Sequence, residues 1–143
     1  MYQCKHFKAY ELVSKSIYEK RGNKAYQCMD ERLLQLLDTL RELLGAPMTI
    51  NSWQWGGNRK ESGLRTPESS YYSNTSQHSY GRAVDFLVEG MTADEVRELI
   101  IGWMRDGTIQ ELCGVESITL ELGVSWVHID VRNNDAGVNS FYP

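Results

Sequence analysis

With 143 residues, 41% of them hydrophobic and 24% charged, the chain has the size and composition of one folded domain that buries a core without disulfide staples. A net charge of −4 gives no support to binding a phosphate backbone, and the one basic stretch, over 15–24, is interleaved with Glu19 and reads as a solvated face, so nucleic acid is not expected as a partner. No run approaches the roughly eighteen apolar residues of a membrane helix, so membrane insertion is not expected either.

The first residues, Met1-Tyr2-Gln3-Cys4-Lys5-His6, lack the apolar core of a secretory signal. The expectation is synthesis in a cytoplasm, with any work outside requiring another export route. Cys4, Cys28 and Cys113 form no C-x-x-C pair and read as free thiols. A helix is plausible over 8–18. A stronger one is predicted over 30–44, where Leu33, Leu36, Leu37, Leu40, Leu43 and Leu44 recur at helical spacing. Asp30 can cap its start, and Gly45 then Pro47 stop it. The next helix is predicted over 93–105, with Thr92 and Glu95 at capping-box spacing, an apolar stripe of Val96, Leu99, Ile100, Trp103 and Met104, and Gly107 at its end.

Short apolar or alternating runs predict strands over 48–51, 82–88, 117–122 and 126–131, with Gly123-Val124-Ser125 joining the last two as a hairpin. Between the first two strands lies a polar stretch over 53–80, dense in Gly, Ser, Asn and Tyr. Its aromatic residues argue that it is ordered, and ordered loops of this length are commonly functional. With no internal repeat and no linker, the chain reads as one α+β domain over 1–143.

Three residues interrupt this pattern. His78 ends the long loop, Asp85 sits inside an apolar strand between Val84 and Phe86, and His128 lies in the last predicted strand. There Val127, Ile129 and Val131 alternate with His128 and Asp130, so the polar pair shares a face. A buried carboxylate at position 85 needs a metal, a hydrogen-bonding partner or a cation, for which Arg82 and Arg97 are candidates. Two imidazoles and a carboxylate also make a catalytic zinc set with a fourth position open.

The segments S-G-L-R-T-P, from Ser62, and S-Q-H-S-Y-G-R-A-V-D-F, ending at Phe86, resemble the signature of the D-alanyl-D-alanine carboxypeptidase family of zinc peptidases. That family includes phage endolysins and is related in fold to the hedgehog signalling domain. W-V-H-I-D-V-R, from Trp126, is similar to the closing segment of its small, phage-associated branch, and Lys5-His6-Phe7, the leucine helix and Pro47-Met48-Thr49-Ile50 match that branch in order and spacing. The resemblance covers essentially the whole chain. It implies a hedgehog-like α+β fold in which an antiparallel sheet cradles one zinc ion and helices pack on one side. It makes His78, Asp85 and His128 the ligands. Arg65 takes the position of the arginine that holds substrate or the oxyanion, whose fork of donors suits either; otherwise it is a surface turn residue before Pro67. Ser76 and Gln77 shape the loop.

The chain departs from the family in two places. Many members carry an acid three residues before the last histidine, where this chain has Ser125. Glu121 is the first candidate to replace it as base, because a hairpin register that sets Leu122 against Val127 sets Glu121 against His128. Asp130 is the second, with a role in orienting a ligand equally open. The other departure is an insertion over 53–61, expected to wall the cleft with its two tryptophans rather than cover the sheet edge.

The resulting expectation is a zinc peptidase that hydrolyses peptide bonds of bacterial peptidoglycan stems or cross-links, with Arg65 and Glu121 or Asp130 as its working side chains. The resemblance sets it in a phage lysis enzyme or a virion-associated hydrolase acting on the wall after release. Rival readings are a zinc-stabilised binding or structural domain without turnover, which Ser125 favours, and a dipeptidase. The oligomeric state is open.

Overall fold

The computed structural model describes residues 1–133 and 135–143. The leucine pattern forms α3 (Glu31–Leu44), with the Asp30 side chain accepting from the Arg32 amide and Gly45 closing it in the left-handed region at φ 65°. Leu33, Leu34, Leu36, Leu37 and Leu40 are fully buried along it. The helix expected over 8–18 is two pieces, α1 (Ala9–Leu12) and α2 (Lys15–Arg21), broken by extended backbone at Val13 and Ser14. The break has a structural use. It releases main-chain carbonyls that a continuous helix would consume: Glu11 accepts from the Asn51 amide, Leu12 from the Leu64 amide, and Val13 from both Asn51 Nδ2 and Trp53 Nε1.

The strands are β1 (Met48–Thr49), β2 (Ala83–Val88), β3 (Ser117–Glu121), β4 (Val127–Asp130) and β5 (Gly137–Phe141), in the order β1-β2-β4-β3-β5. Three pairings are antiparallel, but β5 runs parallel to β3, so the sheet is mixed rather than antiparallel as expected. The β5 sequence, Gly-Val-Asn-Ser-Phe, has no alternation of apolar residues and gave no strand signal. The register pairs Asp85 with His128 and Ala83 with Asp130 across β2 and β4, and Thr119 with Asp130 across β3 and β4. Continued by two residues, it sets Glu121 opposite His128, and β5 then adds Phe141 beside Glu121.

These pairings sort the sheet into two faces. Val84, Phe86, Ile118, Leu120, Val127 and Ile129 are buried on one, in the core shared with the helices. Asp85, Thr119, Glu121, His128, Asp130 and Phe141 lie on the other. α4 (Ala93–Arg105) carries the expected capping box and packs on β2, β4 and β5 through its buried Val96 and Ile100. Leu99, expected in its apolar stripe, is 40% exposed. Arg97 is buried instead, donating to the Val124 and Trp126 carbonyls and to Asp94, and so holds the β3–β4 turn against the helix. A short α5 (Thr108–Cys113), flanked by left-handed glycines, follows without a sequence signal.

The long polar segment is ordered by threads into the rest of the fold. Asp85 donates its amide to the Ser62 carbonyl, Arg65 to the His78 carbonyl, and Ser62 to Asn51 Oδ1. Gly63 lies so close to the Leu12 carbonyl that a Cβ there would collide with it.

Candidate metal centre

His78 stands on a single 3-10 turn, Gln77–Tyr80, whose first free amide is capped by the Ser76 hydroxyl. Its Nδ1 donates to the Gly63 carbonyl at 3.0 Å, which fixes the tautomer and turns Nε2 toward Asp85 at 3.3 Å. His128 comes from the middle of β4, with Nδ1 3.0 Å from Asp85 Oδ1 and Nε2 2.7 Å from Asp130 Oδ2. The two imidazole centroids are 5.2 Å apart. Asp85 thus faces both imidazoles with one oxygen, while its other oxygen accepts from Arg65 at 3.3 Å.

The donor set suits zinc. One atom each from His78, Asp85 and His128 lies within 4.8 Å of the others, and all three residues are buried. Tetrahedral ligands at 2.0–2.1 Å stand about 3.3 Å apart, close to the two His–Asp separations. Each histidine spends its other nitrogen on an oxygen, the Gly63 carbonyl or the Asp130 carboxylate, an arrangement that orients metal-ligating imidazoles.

The electrostatics agree. Burial pushes the Asp85 pKa up, but the imidazoles of His128 and His78 beside it outweigh that and hold the carboxyl well below its usual range. Burial likewise opposes charging His128, yet Asp130 and Asp85 raise its pKa to about 9. Without metal, the imidazole is a cation between two carboxylates, its Nδ1 proton standing where a cation would sit.

A cavity of about 420 Å³ opens from this cluster. Arg65, Glu121, Trp126, Arg132 and Phe141 line it along with the three candidate ligands. Arg65 is braced by the Glu61 carbonyl and stacks over Tyr71. Glu121 has no hydrogen-bond or ion-pair partner among the described residues and stands across from His128 at the cavity wall. Asp130 is completely buried and does not line the cavity. Its oxygens are taken by His128 and by the forked Arg132 guanidinium at 2.8 and 2.6 Å. Neither Arg82 nor Arg97 pairs with Asp85; Arg65 does.

One expectation changes. The 53–61 insertion does not wall this cavity: Trp53 and Trp55 pack edge-on against Tyr10, away from the candidate ligands. Aromatic lining comes instead from Trp126 and from Phe141, the latter edge-on to His128 at 5.6 Å. Trp126 was legible, since it shares parity with His128 and Asp130; Phe141 lies in the unpredicted β5. Ser125, the residue at the family's acid position, lines a separate cavity beneath the start of α4.

A family model described as Peptidase M15 matches residues 5–130. No curated protein and no solved structure matches the chain.

Proposed function

From the premise that the chain belongs to the peptidase M15 family of zinc-dependent, D-Ala-D-Ala carboxypeptidase-like enzymes, we propose that it hydrolyses peptide bonds in the stems or cross-links of bacterial peptidoglycan. The observation that carries this reading is the His78–Asp85–His128 cluster, secured on its outer nitrogens and open on one side to a cavity lined by Arg65 and by the Glu121 carboxylate, which has no partner among the described residues. When bound by these three residues, zinc supplies a Lewis acid and lowers the pKa of water to about 7.

The remaining chemistry belongs to the chain. Glu121, at the cavity wall, is the group to take a proton from the attacking water and return it to the departing amine as the C–N bond breaks. Arg65 offers its guanidinium to a substrate carboxylate or to the negative charge that develops on the carbonyl oxygen. Asp130, held by Arg132, orients His128 and stays out of proton transfer. Trp126 and Phe141 supply apolar walls for the stem. An arginine beside the metal suits peptides with a carboxylate near the scissile bond, such as stems bearing D-glutamate, diaminopimelate or terminal D-alanine. The biological setting we infer is a phage lysis enzyme or a virion-associated hydrolase, a reading supported by the closing W-V-H-I-D-V-R motif.

The test is digestion of purified sacculi by the zinc-loaded protein, with new termini identified by mass spectrometry. New amino and carboxyl ends within stems or cross-links are expected, with casein left uncut. New reducing sugar ends would overturn the mechanism. The second reading, a zinc-stabilised domain without turnover, draws on Ser125 and would be favoured by one bound zinc with no product at all.

A further inference from the structure

Asp85 is held through its main chain as well as its carboxylate. The Val131 amide donates to the Arg82 carbonyl, so the ladder bonds between β2 and β4 fall on alternate pairs, and Asp85 stands opposite His128 in a pair without them. The main-chain N–H and C=O of Asp85 therefore turn to the outer edge of β2. There β1 gives them no cover, because it is two residues long and pairs only with Leu87 and Val88. After Thr49 the chain bends at Ile50 and leads into the 53–61 insertion. An edge left open at a buried residue has polar groups that other partners must satisfy.

Two bonds close this edge. The Asp85 amide donates to the Ser62 carbonyl at 2.7 Å, and the Asp85 carbonyl accepts from Nη2 of Arg59 at 3.2 Å. Nε of the same guanidinium donates to the Ile50 carbonyl at 2.8 Å. One planar fork thus spans the gap where β1 and β2 part, in place of ladder bonds. A guanidinium suits the gap because its donors are rigidly spaced, whereas a lysine ammonium is a single point on a flexible stem. Arg59 is itself held. Its amide donates to the Ser52 hydroxyl and its carbonyl accepts from the Ser52 amide, closing a loop in which Gly57 lies against Ser52 where no Cβ would fit.

The Asp85 carboxylate is steadied from a further side. Arg65 donates to its Oδ2 at 3.3 Å, which leaves Oδ1 to face both imidazoles. With its amide and carbonyl both tied, the residue aims its side chain at the imidazoles by the fold alone. A ligand held in this way gives up little conformational entropy on binding, and a shift of about half an ångström is enough to weaken such a site. Arg59 is not among the residues that line the metal cavity, so its influence on the site passes through Asp85.

We propose that Arg59 is a positioning residue of the metal centre: by bridging the Ile50 and Asp85 carbonyls it fixes the ligand Asp85, and this is what the 53–61 insertion contributes to the site. The role rests on the zinc reading and extends it to a residue outside the cavity. The experiment measures the zinc affinity of the full chain by competition with a chromophoric chelator, the visible absorption of the cobalt-substituted protein, and thermal unfolding of the metal-free protein. Arg59→Ala should weaken zinc binding about tenfold and alter the cobalt bands, which report ligand geometry. Arg59→Lys keeps the charge without the fork and should fall between Arg59→Ala and the wild type. Trp53→Phe removes the indole bond to the Val13 carbonyl and so loosens the same insertion without touching Asp85. It should unfold at a lower temperature, with the zinc affinity and cobalt bands of the wild type. Wild-type affinity and bands in Arg59→Ala overturn the proposal. So does an equal loss of affinity in Trp53→Phe, which would reduce Arg59 to a brace of the loop. Should Arg59→Ala fail to fold, Arg59→Lys decides by the same two readouts. A wild-type chain that binds no zinc removes the metal reading itself, whereas a zinc-binding chain indifferent to Arg59 loses only this role.

Discussion

Asp130 accepts from Nε2 of His128 at 2.7 Å, and the same imidazole presents its Nδ1 to Asp85 at 3.0 Å. One carboxylate thereby orients the ring and the other shares its ligand face. Elemental analysis should give about one zinc per chain, with most of it lost in His78→Ala and His128→Ala. Asp130→Asn should weaken zinc affinity roughly 10–100-fold, and saturating zinc should restore activity. Unchanged affinity in Asp130→Asn, with activity gone, would make Asp130 the proton carrier instead.

Glu121→Gln separates chemistry from metal binding. The side chain lines the cavity without holding any described neighbour, so zinc content and melting temperature should stay at wild-type levels. Activity on sacculi should fall roughly 10²–10⁴-fold. Normal turnover in this variant removes Glu121 from the mechanism.

Arg65 contacts both Asp85 and the cavity, so two readouts are needed. Arg65→Ala should lower kcat/KM by roughly 2–4 kcal/mol while one zinc remains bound at saturating metal. Arg65→Lys keeps the charge but loses the fork and should recover only part of the loss. Full recovery by lysine would show that charge alone suffices.

The acid–base behaviour of the free site has a definite sign. His128 has a folded pKa of about 9 against an ordinary 6.5. Its contribution to the metal-free fold is therefore complete below about pH 6.5 and lost as the pH rises through about 9. The Asp85 carboxyl is shifted down, so its contribution is lost in acid, as the pH falls through its lowered pKa. Thermal denaturation of the metal-free protein should thus show stability falling from pH 6.5 to 9. Zinc uptake at pH 7 should release about one proton per ion, read from calorimetry in buffers of different ionisation enthalpy. No proton release at pH 7 would mean that His128 is already neutral.

Gly63 joins fold and site: its Cα faces the Leu12 carbonyl and its own carbonyl holds His78 Nδ1. Gly63→Ala should cost roughly 1–3 kcal/mol of stability and lower zinc affinity with it. Gly102→Ala, in the middle of α4 with open space around it, should be neutral or stabilising by about 0.5–1 kcal/mol. Equal melting temperatures for both variants would show that the approach to Leu12 is not tight.

What the sequence by itself determined is what local chemistry can carry. Asp30 and Gly45 bracket α3, Thr92 and Glu95 close the capping box of α4, and alternation puts His128 and Asp130 on one face of β4. A cap needs only its own first turn and a strand's parity only its own backbone, so both are written in consecutive residues. The motif spacing likewise singles out His78, Asp85 and His128. Only the tertiary structure decided which neighbours meet them. The strand register made Glu121 the first candidate for base and Asp130 the second; Arg132 closes over Asp130 and the cavity opens beside Glu121. β5 becomes a strand because β3 offers it an edge, and Phe141 reaches His128 through that pairing. Trp53 and Trp55 turn to Tyr10 rather than to the metal cavity because the break after α1 frees the Val13 carbonyl to hold the indole. Such contacts join residues tens of positions apart, and their free energy depends on what else packs there, which no window of adjacent residues contains.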